Sequence, residues 1–231
     1  LPGGVRSADD LWQLLIDEVD TVREVPRDRW DVDALYDPDP AARGKMNTRY
    51  GTFLDRPADF DPQFFGIAPR EAASMDPQQR LLLEVAWEAV DDAGLPGATL
   101  AARQTGVFFS IYNNDYAEHL GNDLDLVDAY TTAGTVPCMA AGRLSFLFDL
   151  KGPSLVVDTA CSSSLVAAHL AMSSLRDGTT DIALVGASSL LLTPLRTVSL
   201  SRWGFMAPDG RCKFGDASAD GWVRGEGCGV V

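Results

Sequence analysis

The sequence predicts an α/β fold, in which the strands of a sheet alternate with helices along the chain. Three short runs rich in β-branched and small apolar residues have the length of buried strands, at 105–111, 154–157 and 181–187. Between and after them, residues 78–93 and 162–175 repeat apolar side chains at intervals of three and four, which predicts amphipathic helices. This alternation indicates a sheet whose functional groups gather at the C-terminal ends of its strands.

Length, charge and cysteine content limit the classes of function. The chain has 231 residues, 46% of them hydrophobic, and no segment approaches the roughly eighteen unbroken apolar residues of a membrane span. A formal net charge of −14 argues against nucleic acid or an anionic membrane as a partner, because both favour a basic face. The four cysteines, at 138, 161, 212 and 228, show neither zinc-type spacing nor a dense disulfide framework, so we expect reduced thiols and a cytoplasmic location.

The N-terminal part predicts two helices joined by a long irregular segment. Ser7 can cap a helix over residues 8–19, whose leucines between Leu11 and Leu15 form an ordinary packing face. Residues 26–62 are rich in Pro, Asp, Arg and aromatics with little periodicity, which predicts a surface loop with short turns. Asp76-Pro77 then opens the helix over 78–93, and Gly94 ends it.

The remaining segments are assigned by composition and pattern. Residues 112–128 are acidic and loop-like, and a helix is expected from about Pro137 to residue 150. The stretch 202–227 is rich in Gly, Asp and Arg but lacks the Walker lysine pattern and a GxGxxG that opens a helix, so a structured loop explains it better than a phosphate cradle. Residues 228–231 form a final strand.

Cys161 is the strongest candidate for a functional residue. It follows the strand at 154–157 and a turn, and it precedes the helix over 162–175, whose expected packing face includes Leu165, Met172 and Leu175. A thiol at a helix N-terminus faces unpaired backbone N–H groups and the positive end of the helix dipole, which favour the reactive thiolate and an oxyanion. Ala160 and Ser162 would support this turn and its oxyanion site. The alternative is that Cys161 is an inert small hydrophobic residue.

The residues around Cys161 resemble a known active-site signature. Asp158 to Leu165, DTACSSSL, closely resembles the signature of the β-ketoacyl synthase (ketosynthase) domains of modular type I polyketide synthases and of related fatty acid synthases. Further blocks resemble the same family in the same order along almost the whole chain: LPGGVRSADDLWQLL, VPRDRWDVDALYDPDP, FFGIAPREAASMDPQQRLLLEVAWEAVDDAGL and PDGRCKFGDASADGWVRGEGCGVV. The resemblance implies a thiolase-like fold with layers in the order αβαβα, of which this chain would form mainly the N-terminal half.

The resemblance also implies a reaction and its partners. Cys161 would take an acyl chain from the phosphopantetheine arm of an acyl carrier protein, with no cofactor bound directly and no metal. The acyl group would then undergo decarboxylative Claisen condensation with a malonyl or methylmalonyl thioester. Met139 and Phe146 would line the acyl-chain space, although plain core packing is the alternative for each. An adjacent acyltransferase domain and a homodimer of the parent protein are further expectations.

The histidines depart from the family pattern. Ketosynthases use two histidines, in His-Gly-Thr-Gly-Thr and Asn-x-Gly-His motifs, and neither motif occurs in residues 1–231. His169 lies eight residues beyond Cys161, about 12 Å along a helix axis, which is too far for direct action as its base. His119 lies in the acidic segment. We therefore expect residues 1–231 to be the N-terminal part of a β-ketoacyl synthase domain, with the usual first strand and the C-terminal half absent.

Two other classes of function remain open at this point. A cysteine at a strand-to-helix turn also suits a thiol hydrolase, although no G-x-C-x-G elbow is present and a nearby histidine would be needed. The segment could instead be a non-catalytic dimerisation or docking fragment in which the cysteine is incidental. A stable acyl adduct that is lost on Cys161→Ala would distinguish the ketosynthase from both, because a hydrolase would release the acyl group rapidly and a docking fragment would not react.

Overall fold

The computed structural model describes residues 1–231, and its regular elements follow the order expected of an α/β chain. The helices are α1 Ala8–Ile16, α2 Val32–Leu35, α3 Pro69–Ser74, α4 Pro77–Asp92, α5 Gly97–Ala101, α6 Asp115–Gly121, α7 Thr131–Thr135, α8 Met139–Leu147, α9 Ser163–Arg176 and α10 Leu195–Arg202. The strands are β1 Arg23–Glu24, β2 Tyr50–Gly51, β3 Thr105–Ile111, β4 Ser154–Val157, β5 Ile182–Ser189 and β6 Gly227–Val230. A 3₁₀ turn covers Leu124–Leu126. None of the helices is long and apolar enough to cross a membrane.

The chain divides into two compact units, and the larger one contains the sheet. This unit comprises residues 56–189 and 228–231. Its strands lie in the order β4-β3-β5-β6, and β3 pairs with both β4 and β5 in parallel. Val185 and Val231 exchange both backbone hydrogen bonds, the pattern of an antiparallel pair at the other end of the sheet. The α/β prediction is therefore confirmed, and β4 and β6 form the two edges of the sheet.

Helices cover both faces of this sheet. On one face, Val107 and Phe109 of β3 belong to a core with Leu82 and Ala86 of α4 and with Leu144 of α8. On the other face, Phe108 packs with Ala167 and Ala171 of α9. Successive side chains of a strand point to opposite faces, so β3, which is buried along its whole length, contributes to both cores. The unit is thus an α/β/α sandwich.

The packing face predicted for α9 is wrong. The buried residues of this helix are the small ones, Ser163, Ala167, Ala171 and Ser174, whereas Leu165 is 76% exposed and Met172 and Leu175 are also exposed. Small side chains allow the helix backbone to approach the sheet closely, and the larger apolar side chains are left on its outer face. The prediction that β4 is a buried strand is also wrong: Ser154 is exposed and its neighbours are only half-buried, because β4 is an edge strand.

Other differences from the expected elements are local. The helix α4 begins and ends close to the predicted residues: Asp76 accepts a hydrogen bond from the Gln78 N–H at its start, and Gly94, with a φ of +63°, follows its end. The acidic segment at 112–128, expected as a loop, contains α6 and the 3₁₀ turn. In α7, Gly134 lies so close to α3 that an added Cβ would stand 2.0 Å from the Ser74 carbonyl oxygen.

The smaller unit comprises residues 1–55 and 190–227 and has its own small core, which includes Trp30, Met46 and Phe53. The Glu226 side chain is fully buried there, pairs with Arg29 at 3.2 Å, and accepts the Leu54 N–H at 2.7 Å. The predicted helix α1 begins at a capping box, but it ends at Ile16 and none of its residues is buried. Its expected packing face is therefore wrong.

Candidate active site

Cys161 lies in the turn that connects β4 with α9, as predicted. The turn follows the C-terminal end of β4, where Val157 pairs with Ser110 of β3, and α9 begins two residues after the cysteine. Cys161 is exposed and its thiol is free of any disulfide. A nucleophile at this place is accessible from solvent and stands at the carboxyl edge of the parallel strands.

The turn before Cys161 is strained. Ala160 has a φ of +57°, in the left-handed region that residues other than glycine seldom adopt. Such a conformation costs on the order of 1–3 kcal/mol and persists only where surrounding bonds hold it. Here the Asp158 carboxylate accepts the Ala160 N–H at 2.9 Å, and the Ser163 hydroxyl donates to the Ala160 carbonyl at 2.6 Å. The left-handed conformation of Ala160, held by these hydrogen bonds, sets the direction in which the next residue, Cys161, leaves the turn.

The serines after Cys161 stabilise this turn rather than cap the helix. The Ser163 hydroxyl oxygen accepts the Thr159 N–H at 2.8 Å, and the Ser162 hydroxyl donates to the Thr159 carbonyl at 2.9 Å. Ser162 occupies the N-cap position of α9 but makes no side-chain capping bond. Its hydroxyl is used by the turn instead.

The start of α9, two residues after Cys161, provides backbone hydrogen-bond donors. The first intrahelical bond runs from the Val166 N–H to the Ser162 carbonyl, at 3.0 Å. The N–H groups of Ser164 and Leu165 in the first turn therefore have no intrahelical partners, and they carry the positive end of the helix dipole. Donors of this kind stabilise an oxyanion formed by attack on a thioester carbonyl.

The other predicted residues lie outside the Cys161 turn. His169 is exposed on the flank of α9, and His119 is exposed on α6, where its ring stacks with that of Tyr116. Neither histidine takes part in the hydrogen bonds of the turn. Met139 is half-buried at the start of α8, whereas Phe146 is 90% exposed, so core packing does not account for Phe146. No group of three or more His, Cys, Asp or Glu side chains is arranged to hold a metal ion.

A buried polar network at the end of β3 is not predicted by the sequence. The Asp76 carboxylate accepts the side-chain amide of Gln78 at 3.1 Å, and the same amide donates to the Asn113 carbonyl at 2.8 Å. The Asn113 side chain in turn donates to Ser189, at the end of β5, at 3.3 Å. Asp76, Gln78 and Asn113 are each at most 2% exposed. The only signal in the sequence is the polar DPQQ run at the start of an otherwise amphipathic helix.

Comparison with known proteins agrees, along the whole chain, with the family resemblance seen in the sequence. The family model described as the β-ketoacyl synthase N-terminal domain matches residues 1–231. The chain is 53% identical to a subunit of the phenolphthiocerol/phthiocerol polyketide synthase of Mycobacterium tuberculosis strain CDC 1551, over all of this chain and 13% of that protein. It is 51% identical to polyketide synthase GfsB of Streptomyces halstedii, of which it covers 4%.

Solved structures give a matching result. The oxazolomycin ketosynthase domain OzmH KS7 of Streptomyces albus superposes with a TM-score of 0.89 at 40% identity, over 96% of this chain and 39% of that one. The ketosynthase from module 6 of the bacillaene synthase of Bacillus subtilis gives a TM-score of 0.89 at 39% identity, over 99% of this chain and 38% of that one. The chain thus spans about two fifths of each of these solved ketosynthases.

Proposed function

Because the chain belongs to the β-ketoacyl synthase family, whose N-terminal domain it matches from end to end, we propose that Cys161 is the acyl-accepting nucleophile of a polyketide synthase condensing domain. The thiolase-like fold expected from the sequence is confirmed by the ketosynthase structures it resembles. The observation that carries the proposal is the exposed thiol on a strained strand-to-helix turn, immediately after Ala160.

In the proposed first step, the Cys161 thiolate attacks the carbonyl carbon of an acyl thioester on the phosphopantetheine arm of a carrier protein. The carbonyl oxygen becomes an oxyanion beside the N–H groups of the first turn of α9. Collapse of this intermediate breaks the bond between the carbonyl carbon and the carrier sulfur, and the carrier thiol leaves with the proton that Cys161 gave up. The acyl group is then held as a thioester on Cys161.

In the proposed second step, a malonyl or methylmalonyl thioester loses carbon dioxide, and the resulting carbanion attacks the acyl carbon on Cys161. The new carbon–carbon bond replaces the bond to the Cys161 sulfur, which leaves as the thiolate. The histidine motifs that serve this step in the family do not occur in residues 1–231. We therefore assign to this chain the acylation step, and to the parent protein the condensation.

The exposed surfaces of the larger unit favour the domain assignment. Leu165, Met172 and Leu175 expose apolar surface on the outer side of α9, and Leu170 is exposed on another flank of the helix. The outer edges of β4 and β6 are open, and open edges and apolar faces of this kind are usually covered by further structure. We propose that residues 1–231 are the N-terminal part of a β-ketoacyl synthase domain whose remainder covers these surfaces.

The proposed partners follow from the same family. They are acyl carrier protein domains with their phosphopantetheine arms, an adjacent acyltransferase domain, and a second copy of the parent protein in a homodimer, all in the cytoplasm. Met139 and Phe146 are proposed to line the acyl-chain space, and the exposed position of Phe146 leaves its ring available for this. Phe146→Ala should then slow acylation by a long-chain thioester more than acylation by acetyl thioester.

The test is intact-mass measurement of the chain after incubation with an acyl-pantetheine thioester. We expect one acyl adduct that survives in Cys212→Ala, a matched variant of another exposed cysteine, and disappears in Cys161→Ala. Release of free acid without an adduct would instead indicate a thiol hydrolase. No reaction at Cys161 in a folded chain would favour the non-catalytic docking fragment and would contradict the proposal for residues 1–231.

A further inference from the structure

Two aromatic rings lie side by side on the surface of the larger unit, away from the Cys161 turn. Phe64 is 55% and Trp87 is 41% exposed, and their ring centroids are 4.9 Å apart in an edge-to-face arrangement. Trp87 is backed by the buried Phe148, on which it stacks at 5.5 Å, and Phe64 rests against the buried Phe65. The pair is therefore held in a fixed orientation with part of each ring in solvent.

Carboxylates surround this pair. On α4, Glu84 and Asp91 stand three residues before and four residues after Trp87 and so share its side of the helix, with Glu88 next to it. The backbone of Asp61, three residues before Phe64, lies near enough to the Glu84 carboxyl group to lower its pKa. None of these four carboxylates takes part in an ion pair, while nearby Asp59 is paired with Arg56. We call Asp61, Phe64, Glu84, Trp87, Glu88 and Asp91 the Phe64–Trp87 surface.

The carboxylates of this surface repel one another. Burial raises the pKa of Glu84 above its ordinary value, and the neighbouring carboxylates of Glu88, Asp59 and Asp61 raise it further. The surface therefore holds negative charges that repel one another around exposed apolar rings. A partner that brings positive charge would relieve this repulsion and cover the rings at the same time.

We propose that the Phe64–Trp87 surface is a docking site for a basic polypeptide segment, with an arginine or lysine over the Trp87 ring and its neighbours paired with the carboxylates. Exposed indole faces attract cations, and arginine forms paired hydrogen bonds with carboxylates. A purely apolar partner would desolvate the carboxylates without compensation. A second copy in a symmetric contact would bring the same acidic residues against one another.

The location makes this site independent of the acyl-transfer step. The helix α4 covers the face of the sheet that carries Phe109, whereas α9, which follows the Cys161 turn, covers the opposite face with Phe108. A segment bound at α4 would therefore leave the thiol accessible. The inference does not depend on the proposed function, and an inactive chain would still bind.

The experiment is a calorimetric titration of the chain with a short peptide that carries four arginines and two leucines. We expect Glu88→Lys to weaken binding about tenfold, because it reverses a charge at the site. Trp87→Leu, which keeps apolar bulk but removes the indole face, should weaken binding by about two- to fivefold. The matched control is Asp125→Lys, an equal change of net charge at an exposed residue outside the surface, and it should bind within about twofold of wild type.

Several results would overturn the proposal. Equal weakening by Glu88→Lys and Asp125→Lys would show that only the overall negative charge attracts the peptide. Wild-type affinity in Trp87→Leu, or equal binding of a peptide with glutamates in place of the arginines, would also contradict it. Circular dichroism establishes that each variant is folded, and if Trp87→Leu fails to fold, the comparison of the two lysine variants decides the matter.

Discussion

The carboxyl group of Asp76 should make the stability of this chain depend on pH. Asp76 is 2% exposed at the start of α4, and burial raises its pKa from 3.8 to about 6. Hydrogen bonds from Gln78 and the charge of Arg80 lower the pKa, and the nearby Asp115 carboxylate raises it, but burial is the largest cause. The folded protein therefore favours the protonated acid more strongly than the unfolded chain does.

The magnitude follows from this pKa difference. The difference between a pKa of 3.8 and one of about 6 corresponds to about 3 kcal/mol of stability, which is lost when the Asp76 carboxyl group ionises. The folded state binds more protons than the unfolded state between about pH 4 and 6, so the free energy of unfolding falls as the pH rises through this window. Between about pH 5 and 7, the free energy of unfolding should still fall by about 1 kcal/mol.

The assay is urea unfolding of wild type and Asp76→Asn at about pH 5, 6 and 7. Asparagine is as good an N-cap as aspartate but does not ionise, so the difference in free energy of unfolding between the two proteins should shift by about 1 kcal/mol in favour of the variant as the pH rises. Asp92→Asn, at the exposed end of the same helix, is the control and should show no such shift. Parallel pH dependence of wild type and Asp76→Asn would refute the reasoning.

Two further predictions use matched pairs of substitutions. Gly134→Ala should lower the melting temperature sharply, since its Cβ would collide with the backbone of α3, whereas Gly142→Ala, with open space around it, should stabilise α8 by about 0.5–1 kcal/mol. Glu226→Gln should cost about 3–5 kcal/mol in urea unfolding because it removes the buried counter-charge of Arg29, whose other ionic partner, Asp28, is exposed to solvent. Glu24→Gln, in an exposed ion pair, should cost less than about 1 kcal/mol, and similar losses in the two glutamine variants would contradict this account.

The elements that the sequence predicts well are those whose signals are local. The helix α4 has Pro77 at its first position, Asp76 before it and Gly94 after it, and all three act within one turn of the helix ends. The Cys161 turn is similar, since every hydrogen bond that holds it joins residues at most four positions apart. Short-range chemistry of this kind can be inferred from residue order alone.

The errors arise where burial depends on distant parts of the chain. In α9 both sides of the helix are apolar, and periodicity favours the side with larger residues, whereas contact with Phe108 selects Ala167 and Ala171. The Asp76 network could not be predicted either, because Gln78 and Asn113 are 35 positions apart, and Asn113 and Ser189 are 76 apart. Nothing in a single sequence pairs such residues.

The local nature of the Cys161 turn also separates the two proposed steps, acylation of the cysteine and decarboxylative condensation. The strained Ala160, the serines that hold it and the N–H groups of α9 all lie within residues 158–166, so the groups assigned to acyl capture fold together. Decarboxylation of the extender unit needs polarising groups that these residues do not supply. Acylation of Cys161 should therefore tolerate substitutions elsewhere in the chain that preserve the turn. Ser163→Ala removes two of the hydrogen bonds that hold the turn, so it should slow acylation although the thiol itself is unchanged.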